Sequence, residues 1–129
     1  VHSERELRAW ERAARRLIAS AELGFSAAAS SDVHRPDLVC CALGSARQLP
    51  LAIEVELTVK APQRLRAIIR GWARCRRVAG VVYYGTPVVV RALERAVAEE
   101  RASAVRVLAL DYDDLRSPTQ STSPIPSAP

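Results

Sequence analysis

Four ionisable side chains have the types and spacing that could hold a metal and a phosphate: Asp37 in "HRPD", then Glu54, Glu56 and Lys60 in "LAIEVELTVK". Read with a period of two, Ile53, Val55, Leu57 and Val59 fall on one side of a strand. Glu54, Glu56, Thr58 and Lys60 fall on the other. Residues two apart on one face lie about 6.6 Å from each other, and residues four apart about 13 Å. Both glutamates therefore reach one metal-sized volume, with Asp37 facing them from the neighbouring strand. Lys60 joins them only through its long side chain and a bend at the strand end. Two or three carboxylates with positions left to water are what Mg²⁺ takes when it also holds a phosphate. The competing account is a solvated strand face with cross-strand ion pairs. A strand flanked by a hairpin partner and crossover helices is central, however, and a solvated face there is unusual.

Lys60 is the only lysine among 19 basic residues; the rest are arginines. A coding bias toward Arg explains the arginines but not the one lysine. An ammonium is compact, can lie against a single phosphate oxygen or water, and has a pKa that its surroundings can move, none of which suits the planar guanidinium fork. The expectation is that Lys60 faces the Asp37/Glu54/Glu56 cleft and meets the substrate phosphate.

The basic residues divide into sets. Arg66, Arg70, Arg74 and Arg77 recur on one helical face opposite Ile68 and Trp72, with no acid between residues 61 and 77. Such a stripe tracks a phosphate backbone, supplying affinity with little sequence information, or it is a solvated face. Arg64, one turn after Lys60, is nearer the acidic cluster. His34 beside Asp37 is a support behind the acids, a phosphate contact or a loop histidine. Glu11, at the edge of the first helix's apolar face, is a third acid for the site or a surface partner of Arg15 at i+4. "DYDD" at 111–114 reads as a solvated turn. Trp72, Tyr83 and Tyr84 are core or core-edge, without the interleaved stacking of an RNA-binding platform. No Gly-rich phosphate loop, dinucleotide fingerprint or Ser/His/Asp order is present.

The elements that must position these groups follow from periodicity. Ser3 and Glu6 form a capping box, and Leu7, Trp10, Ala14, Leu17, Ile18 and Ala21 recur at helical spacing, predicting a helix to about Gly24. "GFSAAASS" is a weak strand or loop. "PDLVCCAL" and "LAIEVELTV" are strands joined by "GSARQLP" into an antiparallel hairpin. "APQRLRAIIRGWARCRR" is a helix with Leu65, Ile68, Ile69, Trp72 and Cys75 inward, and "VAGVVYYG" a buried strand. Thr86 and Pro87 start the helix "PVVVRALERAVAEERA", and "AVRVLALDY" is the closing strand. The order implies an α/β fold: a central mixed sheet of four to five strands flanked by helices on both faces. Residues 1–115 form one domain, and the Ser/Thr/Pro-rich 116–129 a disordered tail.

Bulk properties narrow the class. A chain of 129 residues, 49% hydrophobic and 26% charged, suits one soluble globular domain. Net charge +5 favours an anionic partner. No run is long enough to span a membrane, and residues 1–20 are too charged for a signal peptide. Cys40, Cys41 and Cys75 make no metal spacing and read as buried, reduced thiols in a cytoplasmic protein. A chain that opens on Val1 suits a fragment of a longer protein, a processed chain or a non-ATG start.

"RPDLV", sixteen residues between Asp37 and Glu54, "EVELTVK" and an Arg-rich helix resemble the core of the PD-(D/E)xK nuclease superfamily. The fuller string "SEREL…HRPD…AIEVELTVK…RL…VVYY" is similar to the nuclease-like part of replication-relaxation proteins, found on plasmids and integrative elements of actinobacteria. The resemblance covers roughly residues 3–112. It implies a restriction-endonuclease-like fold in αβββαβαβ order. Asp37 matches the first acid and Glu54 the second, both ligating Mg²⁺ or Mn²⁺ with the Val55 carbonyl. The motif usually has Lys where this chain has Glu56, so Glu56 or Lys60 takes the role of orienting or deprotonating water. An alternative alignment makes Glu56 the second acid and Lys60 the lysine. The implied function is Mg-dependent DNA endonuclease-like hydrolysis tied to mobile-element replication, with a cytoplasmic location and a homodimer or larger mobile-element complex. The rivals are a non-catalytic DNA-binding or regulatory module and a protein-interaction domain.

Overall fold

The computed structural model describes residues 1–25, 31–44 and 47–111. It is an α/β domain with a mixed five-stranded sheet and three helices. The elements are β1 (His2–Ser3), α1 (Glu4–Ala14), β2 (Ala21–Phe25), β3 (Ser31–His34), β4 (Leu38–Cys40), β5 (Leu51–Glu56), α2 (Pro62–Arg74), β6 (Gly80–Gly85), α3 (Pro87–Glu100) and β7 (Val105–Ala109). The sheet runs β1-β4-β5-β6-β7, while β2 and β3 form a separate hairpin. β4 pairs antiparallel with β5, as the short turn between them predicts. β5, β6 and β7 are parallel, as the intervening helices require. The Ser/Thr/Pro-rich tail and Tyr112 to Asp114 of "DYDD" lie outside the described residues.

The capping box is present: Ser3 Oγ accepts from the Glu6 amide, and the Glu6 carboxylate accepts from the Ser3 amide at 2.8 Å. The helix that follows is shorter than its apolar spacing predicts. It stops at Ala14, with Arg15 in the left-handed region at φ 53°. Residues from Ala21 turn into β2 instead. The cause is Glu11, whose carboxylate collects the Ile18 and Ala19 amides and so holds the turn that leaves the helix. Thr86 precedes α3 with extended backbone, and Pro87 opens the helix, but the threonine side chain makes no capping bond.

The covered face is the opposite of what the pattern of β5 suggests. Ala52 and Glu54 are buried, whereas Val55, Leu57 and Val59 are 44%, 56% and 50% exposed. Ala52 pairs with Val39 and Val81, and Glu54 with Tyr83, so these residues share one face. Helices α2 and α3 lie over it, packed on each other. The expectation of helices on both faces is corrected here. Right-handed crossovers that step twice in the same direction put both helices on one side, and Leu7 of α1 joins the same core cluster as Ile68, Ile69, Trp72, Val89 and Leu93. On the other face Ile53, Val82 and Tyr84 are half-buried and Leu108 is exposed. Gly71 marks the close approach of α2 to β2: a Cβ there would lie 2.5 Å from Leu23 Cδ2 and 3.0 Å from the Glu22 carbonyl. The cysteines are unpaired; Cys40 and Cys75 are half-buried, but Cys41 is exposed rather than buried. Among the described residues no helix is long and apolar enough to cross a membrane.

Candidate functional site

β5 delivers Glu54 into a pocket of polar donors within the core. Its Oε1 is 2.5 Å from His34 Nε2 and accepts from Trp72 Nε1 at 3.2 Å. The residue is only 5% exposed. A carboxylate so placed is retained because each donor needs it as much as it needs them. The Trp72 ring also meets the His34 ring edge-on, with centroids 5.8 Å apart. Tyr83, beside Glu54 in the β5–β6 register, is buried too. Burial, and then the negative charge of Glu54, push its phenol well above the usual tyrosine range, and Asp37 adds to the effect. Tyr83 therefore stays neutral.

Asp37 sits at the entry to β4. Continuing the β4–β5 register by one step sets it opposite Glu54, and both carboxylates act on the Tyr83 phenol. Its Oδ2 accepts the Val55 amide at 2.7 Å, while its carbonyl accepts the Glu4 amide at 3.0 Å. Asp37 thus ties β5 and the start of α1 together and remains exposed. Pro36, buried and lacking an N–H, supplies the extended entry.

β5 ends at Glu56, and the chain bends so that Lys60 Nζ meets Glu56 Oε2 in an ion pair. The bend brings Lys60 to Glu56 alone among the acids expected to join it, at a hollow lined by Leu65 and Arg66 of α2 and Ala92, Arg95 and Glu99 of α3. Among the described residues no group of three or more His, Cys, Asp or Glu side chains converges as a metal cage. The hydrogen bonds described above use one oxygen of Asp37 and one of Glu54. The Tyr83 phenol also hydrogen-bonds to the Glu54 carboxylate, so the Asp37 oxygen outside these bonds is the more accessible hard donor for a Mg²⁺ ion.

The basic residues expected to face DNA are mostly engaged with acids. Arg64 pairs with Asp32 at 2.5 Å, Arg66 with Glu99 at 3.5 Å and Arg77 with Glu22 at 3.5 Å. Arg70 makes two bonds of 2.9 Å to Glu100. Those bonds raise the Arg70 pKa and lower that of Glu100, first through hydrogen bonding and then through charge. Arg74 has no ion pair among the described residues, though it lies near enough to help lower the Glu100 pKa. Arg66 and Arg70 thus lie along the seam between α2 and α3, while α2 ends at Arg74, so the predicted helical stripe does not extend to Arg77. His34, read as a support of the acids, a phosphate contact or a loop histidine, turns to Glu54.

Glu11 neither joins the acid site nor pairs with Arg15. It is 4% exposed and accepts from the Ile18 amide at 2.9 Å, Ser20 Oγ at 2.6 Å and Arg35 Nε at 3.1 Å. Burial pushes its carboxyl up, but the bonds from Ser20, Ile18 and Ala19 and the Arg35 charge together outweigh it and hold it below the usual range. The sequence carries a signal for this: Glu11 stands four residues after the fully buried Leu7, on the same helical face.

Compared with protein-family models, with curated proteins and with solved structures, the chain matches none.

Proposed function

We propose that this domain is a DNA-acting module of restriction-endonuclease-like build, with a Mg²⁺-dependent phosphodiesterase site at Asp37, Glu54, Glu56 and Lys60. The observation that carries the reading is the register that sets Asp37 opposite Glu54 where β4 begins, with the Glu56–Lys60 pair at the end of the same strand. This is the carboxyl end of the parallel strands β5 and β6, the end at which open α/β sheets place their sites. Asp37 and Glu54 would hold the metal, which when bound supplies a Lewis acid for the phosphate and a more acidic water. His34 and Trp72 fix the orientation of Glu54. Lys60 offers its ammonium to a non-bridging phosphate oxygen, and Glu56 holds that ammonium in place and accepts a proton from water. The resemblance to replication-relaxation proteins adds a setting in plasmid or integrative-element replication.

The burial of Glu54 and the engagement of its Oε1 with two donors favour a second reading, a nuclease-fold DNA-binding module without chemistry. The test is cleavage of plasmid and single-stranded DNA with Mg²⁺ or Mn²⁺ by the parent, Asp37→Ala, Glu54→Gln and Lys60→Arg. On the first reading the parent cleaves, and each variant loses at least about 10²-fold with its melting temperature nearly kept. A parent that binds DNA, takes up no Mn²⁺ by calorimetry and never cleaves establishes the second reading.

A further inference from the structure

We infer that the C-terminal end of α1 holds the phosphodiester backbone of a nucleic acid, in an arginine-lined concavity formed by other residues than the carboxylate site. The inference rests on the DNA-acting reading and names where the backbone is gripped. The concavity, about 520 Å³, is lined by Arg8, Arg12, Arg15, Arg16 and Arg35, with Glu11 as its lining carboxylate. That volume lies within the roughly 300–1,000 Å³ of sites that take ligands of nucleotide size.

Charge makes the first argument. Arg8 is paired with Glu4 at 2.5 Å and Arg35 with Glu11 at 3.1 Å. Arg12, Arg15 and Arg16 are exposed and have no ion pair among the described residues. Like charges converging on one hollow repel one another and are stabilised by an anion. Guanidiniums bind phosphate oxygens through two parallel N–H bonds, so the anion that suits them is a phosphate. Part of this charge has a bland account: cations near a helix C-terminus offset its partial negative charge, about half an electron. That offset accounts for one arginine, not for three unpaired ones with two more alongside.

Architecture makes the second argument. Glu11 grips Arg35 through Nε, which leaves both terminal amino groups of that guanidinium outside the pair. The same carboxylate fixes the turn through the Ile18 and Ala19 amides, so the wall of the concavity is held from within. Arg35 is also two residues from Asp37, which connects the concavity to the proposed site of cleavage. Arg15 closes α1 in the left-handed region, where glycine is favoured. Arg101 closes α3 in the same way, so that conformation does not by itself mark a site; the convergence of guanidiniums sets α1 apart.

The test is binding of a fluorescein-labelled mixed-sequence duplex in EDTA across a salt series, comparing the parent, Arg12→Ala/Arg16→Ala and Arg15→Gly. Affinity should fall about equally across sequences, and the log–log salt slope should flatten by roughly 0.9 for each phosphate no longer neutralised. Arg15→Gly removes the guanidinium where glycine is at home, so its melting temperature should hold or rise while binding weakens. Parent-like affinity and slope in both variants overturn the inference and leave the DNA-acting reading standing. No binding by the parent at low salt overturns both. Because no divalent metal is present, a parent that never cleaves DNA still gives the expected slopes.

Discussion

Two arginine-rich regions of this domain look alike in sequence and differ in structure. Along α2, Arg66 and Arg70 reach Glu99 and Glu100 on α3, and past the end of α2 Arg77 reaches Glu22. At the end of α1, Arg12, Arg15 and Arg16 gather around a hollow and meet no acid among the described residues. Helical spacing treats both as stripes. What separates them is the neighbour across the gap: the α2 stripe faces the acidic end of α3, whereas the α1 cluster faces solvent and Arg35. The arginines proposed to grip a phosphate backbone are the ones that form no ion pair among the described residues.

The largest effect that sharpens this contrast comes from Glu11. Glu11→Ala leaves Arg35, Ser20 and two amides without their acceptor, and breaking a buried ion pair from one side costs about 3–5 kcal/mol. Urea denaturation checks this. A loss no greater than that of an ordinary surface change would mean that the α1 concavity is not held by Glu11, and the two regions would be equally loose.

Acidification is the next test. The Glu11 carboxyl is held below its ordinary pKa, so its stabilisation is complete above the unfolded value and fades as pH falls through the lowered folded value. Stability of the parent and Glu11→Gln, measured by melting temperature, should therefore converge below pH 4.5. A gap between them that persists far into acid would show that the carboxylate charge is not what matters.

The smallest effect tests the other region. Arg70 is exposed and Glu100 half-buried, and pairs open to solvent on one side add little stability and are screened by salt. Glu99→Gln/Glu100→Gln should hardly change the melting temperature but should release the α2 arginines. DNA affinity should then rise a few-fold at low salt, with a steeper salt dependence. Unchanged affinity would break the comparison, because the α2 stripe would be silent for a reason other than its acids.

Much of the fold is legible along the chain. The Ser3/Glu6 cap, the β4–β5 hairpin and the parallel β6 and β7 strands each follow from local pattern, because turn length and helical spacing fix them within a few residues. The length of α1 is not legible, because Leu17, Ile18 and Ala21 continue a helical spacing that Glu11 overrides by bonding the amides beyond Ala14. The covered side of β5 is not legible either. Val55 is more apolar than Glu54, yet α2 lies on the Glu54 side, and the carboxylate is accommodated there by Trp72 and His34, which are 18 and 20 residues away. Of the candidate site, the register of Asp37 against Glu54 was within reach of strand arithmetic, whereas the pairing of Lys60 with Glu56 was not, because β5 ends at Glu56 and the chain leaves the strand before Lys60. The engagement of Arg64, Arg66, Arg70, Arg77 and His34 was not, since each partner comes from another element.

The Glu11 carboxylate also has a dynamic consequence. It draws donors from the turn after α1 and from the segment after β3, so neither can leave alone without stranding a buried charge. Fraying, which usually releases a helix end residue by residue, is replaced by a concerted opening of the α1 terminus, residues 18–20 and Arg35. The amides of Ile18 and Ala19 lie just past a helix end, yet the expected outcome in hydrogen exchange is that they open together with that whole corner, as one cooperative unit.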